Sequence, residues 1–437
     1  MKPVDRRIYL AFLGKGSLDK QRNIYDYTPV KYSLDGKKSK ETKYVQIAEL
    51  ELLGANYFDL IIIVGTRESL RSHYKKLINE ATKVLNIKEN IFKKIEISNV
   101  LNYEDEWVWL NEILAEVNYN DSLVVDLTHG YRSIPIVFSN AINFLIKTKS
   151  INLEAVYYGA YEAQKDSKII DMKDYYIINK WADGVMRLVE VGDSKKLIDL
   201  ISGNDKTINV EELNDNKLKD AIVKATDSFR NVDINNIYDY TNNLLNRINE
   251  ITDENNRKKI SNILLDLIKS KYIDFAPKNF DDDIYNKDYF KLQLKIIDYL
   301  IKHRLYMQSY TVMREFIGSI GMIILRIDND KKGIKNRMYA DIFIRMVSND
   351  EKKWIFSNKK EKNEEKMKDK LLDFYKCLDS KGIINELKVL VDEIKPIRDG
   401  LDHAWTSKPK MKEDLENKTI NSYKKLEEII DKIFENV

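Results

Sequence analysis

The sequence has almost no cysteine. One of 437 residues is cysteine, Cys377, so neither a disulfide framework nor a thiolate zinc site can be assembled within the chain. Histidine is nearly as sparse, with four, and none stands with carboxylates at metal-ligand spacing, so no metal centre is expected. The six prolines leave the intervals between Pro135 and Pro277 and between Pro277 and Pro396 clear, and long stretches are therefore free to form helix. No run approaches the ~20 apolar residues of a membrane span. The opening MKPVDRRIYLAFLG is apolar over too short a length, and Gly14, Lys15 and Gly16 follow where a signal peptide would continue, so a cytoplasmic chain without membrane contact is expected. Excess charge is lacking as well: 73 Lys and Arg against 70 Asp and Glu leave a formal net charge of +3. A diffuse polyanion-binding surface is not demanded, while a local basic cleft is allowed.

What is present falls into two unlike halves, in a chain long enough for two or three domains at ~150 residues each. Over the first ~180 residues, the β-rich runs 7–14, 59–65, 91–97, 121–127 and 153–159 alternate with stretches of helical length and spacing at 44–54, 67–85, 103–117 and 134–147. That alternation predicts an α/β fold: an open, largely parallel sheet with helices on both faces and a ligand at the carboxyl ends of its strands. Beyond about residue 185, long Lys/Glu/Leu/Ile segments predict an all-α remainder. Polar clusters at 202–207 and 276–288 are candidate linkers, and the charge-dense run 348–370 reads as a solvated helix face or loop.

Three strand ends gather the same chemistry. The first supplies Gly14, Lys15, Gly16 and Ser17, the second Thr66 and Arg67, and the fourth the turn DLTHGYRS with Thr128, His129, Gly130, Tyr131, Arg132 and Ser133. Glycines let backbone N–H groups approach an anion, hydroxyls donate, and Lys15, Arg67 and Arg132 balance phosphate charge. A helix starting near Ser133 adds its positive dipole end. A phosphorylated ligand fits. Two familiar nucleotide sites do not: G-x-x-x-x-G-K-[ST] is absent, and the first turn lacks the third glycine of the dinucleotide fingerprint.

A second constellation, EIKPIRDGLDHAW (393–405), places Arg398 and His403 five residues apart. On a continuous helix five residues turn ~500°, leaving the two side chains ~140° apart, so a bend is expected at Gly400. An Arg and a His converging on one phosphate suit RNA cleavage by its own 2′-hydroxyl, without metal. In the alternative reading Arg398 pairs with Asp399 or Asp402 and His403 caps a helix end.

The turn DLTHGYRSIPI resembles the signature of CRISPR-associated Rossmann fold (CARF) domains. IRDGLDHAW resembles the R-x4-6-H motif of HEPN ribonucleases, and VMREFIG (312–318) is similar to the Arg-Glu pair on an early HEPN helix. The resemblance implies a Rossmann-like CARF domain (1–185), a helical linker or transmission region (186–285) and a helical HEPN domain (286–437). It implies a homodimer, or a higher oligomer of dimers, whose CARF pair binds cyclic oligoadenylate, by family frequency the tetraadenylate, as allosteric activator with no other cofactor, and whose HEPN pair cuts single-stranded RNA. Thr128, His129, Gly130, Arg132 and Ser133 fall on the CARF motif, while Gly14, Lys15, Gly16, Ser17, Thr66 and Arg67 match only strand-end loops. Arg398, Asp399 and His403 fall on the HEPN motif. Asp399 departs from the commoner Asn, placing an acid beside the RNA phosphate unless it pairs with Arg398. A CARF regulator without nuclease activity, or an unrelated Rossmann-like enzyme acting on a phosphorylated metabolite, are the competing readings.

Overall fold

The computed structural model describes residues 6–19, 24–54, 56–97, 103–129, 134–161, 167–203, 213–252, 259–278, 280, 285–327, 337–354, 364–406 and 414–436. Gly130, Tyr131, Arg132 and Ser133, and parts of the expected linkers and of the 348–370 run, lie outside them. The chain divides into two compact units, Met1–Lys180 and Trp181–Val437, the division falling within helix Lys173–Val191.

The first unit is built on β1 (Arg7–Leu13), β2 (Ser17–Asp19), β3 (Ile24–Asp26), β4 (Tyr32–Leu34), β5 (Lys37–Lys38), β6 (Leu60–Thr66), β7 (Phe92–Ile97), β8 (Ser122–Asp126), β9 (Asn152–Ala160) and β10 (Ser167–Asp171). The main sheet runs β5-β4-β10-β9-β8-β1-β6-β7, and β2 and β3 form a separate hairpin. From β7 through β6, β1 and β8 to β9 every pairing is parallel. The expected parallel α/β sheet is thus present, extended at one side by β10, which runs antiparallel to β9.

Period-two alternation on two buried faces fixes this sheet. Ile8, Leu10 and Phe12 of β1 pack on one side with Ile62, Val64, Leu123 and Val125 against Trp109, Ile113, Phe138 and Leu145 of helices Tyr103–Glu116 and Ile134–Lys149. Tyr9, Ala11 and Leu13 pack on the other with Ile61, Ile63 and Val124 against Val45, Ala48, Leu77 and Ala81, from helix Val45–Leu53 and the helical stretch 67–85. From β1 the chain steps outward to β6 and β7, then crosses back to β8 on the opposite side of β1 and on to β9. The strand order therefore reverses between β1 and β8, where open α/β sheets form their ligand crevice.

The second unit is helical in every described element, and helix Tyr306–Gly321 is its centre. It packs against helices Lys287–Lys302, Met338–Ser348, Ile383–Asp402 and Leu415–Asn436. Small residues at one end let helix Met338–Ser348 approach closely: a Cβ on Gly318 would lie 3.0 Å from Ile344 Cδ1, and one on Gly321 only 2.4 Å from Phe343 Cβ. Because the obstruction at Gly321 is a Cβ next to backbone, no rotamer change relieves it. Gly321→Ala is expected to gain ~1 kcal/mol of helix propensity and lose more to overpacking, a net destabilisation of about 1–2 kcal/mol in denaturant unfolding. Unchanged stability would contradict this close approach.

Candidate functional site

At the strand-order reversal the described ends of β1 and β8 lie side by side. Gly14 and Lys15 leave β1, Thr128 and His129 leave β8, and a Cβ added to Gly14 would lie 3.4 Å from His129 Cβ. Gly16 has a positive φ of 78°, and its own added Cβ would fall 2.4 Å from the Asp26 carbonyl oxygen, so only glycine lets the chain enter the β2–β3 hairpin there. That hairpin delivers Tyr27, whose ring lies 5.0 Å from His129, 4.9 Å from His73 and 5.5 Å from Tyr44. His73 is fully buried, with Nε2 3.0 Å from the Lys15 carbonyl oxygen and Nδ1 3.3 Å from the Tyr44 hydroxyl. A π-helical turn over Leu70–Tyr74 within stretch 67–85 carries it.

The predicted residues here have distinct fates. Thr66 caps the helix that begins at Arg67, its hydroxyl accepting the Ser69 N–H at 3.3 Å, and Arg67 is exposed. Ser17 opens β2 and is exposed. Lys15 forms an ion pair with Glu68. Thr128 is engaged within the fold: its N–H donates to Asp126 Oδ1 at 2.8 Å, its hydroxyl donates to the same oxygen, and it accepts the Gly159 N–H at 2.7 Å. Burial first, then neighbouring His73, lowers the His129 pKa to about 4, so at neutral pH it presents a neutral ring.

Beneath the turn lies a buried carboxylate pair. Asp126 is fully buried and takes a 3.0 Å hydrogen bond from Gln46 Nε2 in addition to those from Thr128. Glu49, also fully buried, accepts the Tyr9 hydroxyl at 2.6 Å. Desolvation pushes Asp126 up to about 6 against those hydrogen bonds, and desolvation with the nearby Asp126 raises Glu49 well above its ordinary range.

In the helical unit, helix Ile383–Asp402 buries Ile383, Leu387, Leu390, Val391, Ile394 and Ile397, which leaves Lys395, Arg398 and Asp402 along its flank. Arg398 Nη2 donates to Asp399 Oδ1 at 2.9 Å, and its Nε lies 3.4 Å from Asp402 Oδ2. Arg314 pairs with Glu315 and lies 3.8 Å from Asp341, while Arg337 holds Glu315 from its other side at 2.9 Å. Arg314 and Arg398 line one cleft of about 240 Å³ together with Arg345 and Lys395. Two motif segments far apart in sequence thus contribute to one cationic surface.

The bend expected at Gly400 is not there. The helix runs on through Asp402, and the reversal comes in the next turn, where Ala404 and Trp405 have φ of 48° and 57°. The Trp405 ring folds back over the helix: a Cβ on Gly400 would be 2.4 Å from Trp405 Cζ3, and the Trp405 N–H donates to the Gly400 carbonyl at 2.7 Å. Gly400 is required for that close approach. His403 caps the helix and is exposed on this turn, outside the lining of the cleft.

His73 and Tyr27 in the first unit, and Arg345 and Lys395 in the second, belong to no motif of the sequence. His73 carried one signal, being one of only four histidines. Among the described residues no group of three or more His, Cys, Asp or Glu could hold a metal ion, and no described helix is long and apolar enough to cross a membrane.

The raised Asp126 pKa makes a signed prediction. Its folded value exceeds the unfolded ~3.9, so its contribution to stability is complete below pH ~4 and is lost as pH rises through about 6. Across that interval the parent should lose roughly 3 kcal/mol relative to Asp126→Asn in urea unfolding, from ~1.36 kcal/mol per unit. Parallel stability curves for the two proteins would remove Asp126 as the titrating group.

No protein-family model matches the chain. A CRISPR-associated protein of Methanocaldococcus jannaschii is 22% identical over 253 aligned residues, which cover 46% of this chain and 39% of that protein. The match therefore spans about two fifths of that relative's length. A solved structure of Enterococcus italicus Csm6 bound to cyclic hexa-2′-fluoro-hexa-dAMP aligns over 99% of this chain and 95% of its own, at 12% identity and a TM-score of 0.36, too low for a shared fold to follow. The chain is similar, over nearly half its length, to a CRISPR-associated protein, in keeping with the resemblance its motifs carry.

Proposed function

We propose that the protein is a CRISPR-associated endoribonuclease of the CARF–HEPN kind, switched on by cyclic oligoadenylate and acting on single-stranded RNA. The observation that carries this reading is the convergence of Arg314 and Arg398, each on a HEPN-like segment, in one cationic cleft. The position of Asp126–His129, the described part of the CARF-like motif, at the reversal between β1 and β8, and the CRISPR-associated relative, support the sensing half. In the proposal residues 1–185 sense the activator, 186–285 transmit, and 286–437 cleave.

The chemistry follows from the residues. Arg398 stabilises charge on the pentacovalent phosphorus, and His403 transfers the proton between the 2′-hydroxyl and the 5′-oxygen leaving group. Asp399 and Asp402 hold the Arg398 guanidinium until phosphate displaces them. One R-x4-H motif per chain makes a symmetric dimer the natural assembly, with a cyclic ligand on its axis. The activator acts by binding the active arrangement more tightly than the inactive one.

RNA cleavage with and without a panel of cyclic oligoadenylates tests the proposal. His403→Ala or Arg398→Ala should reduce cleavage by ~10²–10⁴ in protein that melts normally, and a substrate whose scissile ribose is 2′-deoxy should resist the parent. Cleavage should survive EDTA and leave 2′,3′-cyclic phosphate ends. A folded His403→Ala protein cutting at the parent rate, or products with 5′-phosphates, would defeat the reading. Separately, Arg132→Ala should weaken activator binding about tenfold by removing a charge-assisted hydrogen bond, and unchanged affinity would take this turn out of the site.

A further inference from the structure

We infer that the cleft beside Arg398 is a nucleotide subsite: it holds one base of the single strand on an aliphatic floor, reads an exocyclic amino group, and grips flanking phosphates with Arg345 and Lys395. The substrate class rests on the ribonuclease proposal; the rest comes from the cleft itself. At about 240 Å³ it falls just below the ~300 Å³ of the smallest drug-sized pockets, the scale of a single base. Its floor is Ile317, Ile344, Val391 and Ile394, drawn from three helices, and apolar side chains of this kind receive an unstacked base.

The polar rim has a definite sense. The Ser348 hydroxyl donates to the Ile344 carbonyl at 2.6 Å, which leaves its lone pairs for a ligand. Asn349 Nδ2 donates one of its two hydrogens to the Arg345 carbonyl at 3.0 Å, which orients the amide and leaves Oδ1 as an acceptor. Two acceptors suit the two hydrogens of an amino group, which adenine and cytosine carry and uracil lacks.

The cations divide into two kinds. Arg314 and Arg398 are engaged by carboxylates, whereas Arg345 and Lys395 are exposed and form no ion pair with a described residue. The second pair is therefore available to phosphates without displacing a described carboxylate. Neither lies on the R-x4-H motif, and neither is needed for proton transfer.

Binding to the full-length protein of labelled 2′-fluoro oligo-A, oligo-C and oligo-U tests this, because these strands lack the attacking hydroxyl and report affinity whether or not the protein cleaves. Oligo-A and oligo-C should bind roughly three- to tenfold more tightly than oligo-U. The Arg345→Ala/Lys395→Ala double variant should weaken all three and flatten the dependence of log affinity on log salt by ~1.4, from ~0.7 per phosphate on a single strand. Asn349→Leu should erase the base preference and keep the salt slope. Lys217→Ala/Lys224→Ala, an equal charge loss on exposed positions of helix Asn216–Arg230, should change neither the preference nor the slope. The subsite is overturned if the double variant keeps the parent's affinity and slope, if Asn349→Leu keeps the preference, or if no strand binds. Should the parent bind with these dependences yet leave 2′-hydroxyl RNA intact, the subsite stands and the ribonuclease proposal falls.

Discussion

The turn after β8 depends on one buried carboxylate. Asp126 has no access to water, so its charge is stabilised only by what points at it: the Thr128 amide and hydroxyl and the Gln46 side chain. Thr128 in turn takes the Gly159 amide, and Gln46 also donates to the Phe12 carbonyl at 2.9 Å. One group thereby fixes the ends of β1, β8 and β9 relative to one another. An unpaired donor in this place would cost about 1–3 kcal/mol, so the turn has little freedom to relax at its root.

The helical unit meets the same need by a different means. Its cleft is assembled from three helices, and their separation is set by an absence of side chain. Gly318 and Gly321 admit helix Met338–Ser348 to a distance that any Cβ at Gly321 would forbid, and this approach carries Ile344 and Arg345 to the flank of helix Ile383–Asp402. The polar contacts there are partly exposed ion pairs, each worth little in stability. Geometry is held by packing, which leaves the charges free to exchange partners.

The sheet was legible because β1, β6 and β8 are near-continuous apolar runs buried on both faces, a pattern that marks the central strands of a parallel sheet. β4, β5 and β10 were not: they are two to five residues long, rich in lysine and serine, and owe their pairing to the neighbour they meet. His73 was illegible for another reason. Its inward position depends on a π-helical turn, which displaces the phase of the helix and leaves no mark in an apolar pattern built on 3.6 residues. Gly400 misled because a glycine before a turn reads as a flexible joint; here it is a flat seat for the ring of Trp405, five residues on. Composition also hides the cleft, since a net charge of +3 sums over the whole chain while four cations gather on three helices.

On the proposed reading, Asp399 has a consequence for activity as well as for structure. A neutral residue beside Arg398 would let phosphate simply add to the guanidinium. With Asp399 at 2.9 Å and Asp402 at 3.4 Å, phosphate must replace a partner already present, so part of its binding energy goes into the exchange. The exchange is least costly where further cations raise the local potential, which Arg314, Arg345 and Lys395 do from the same cleft. An isolated nucleotide meets only some of these groups, whereas a strand that engages Arg345 and Lys395 first arrives at Arg398 with its phosphate already held. The carboxylates thus discriminate between a small anion and a polymer, and they do so through the order in which the cations are met.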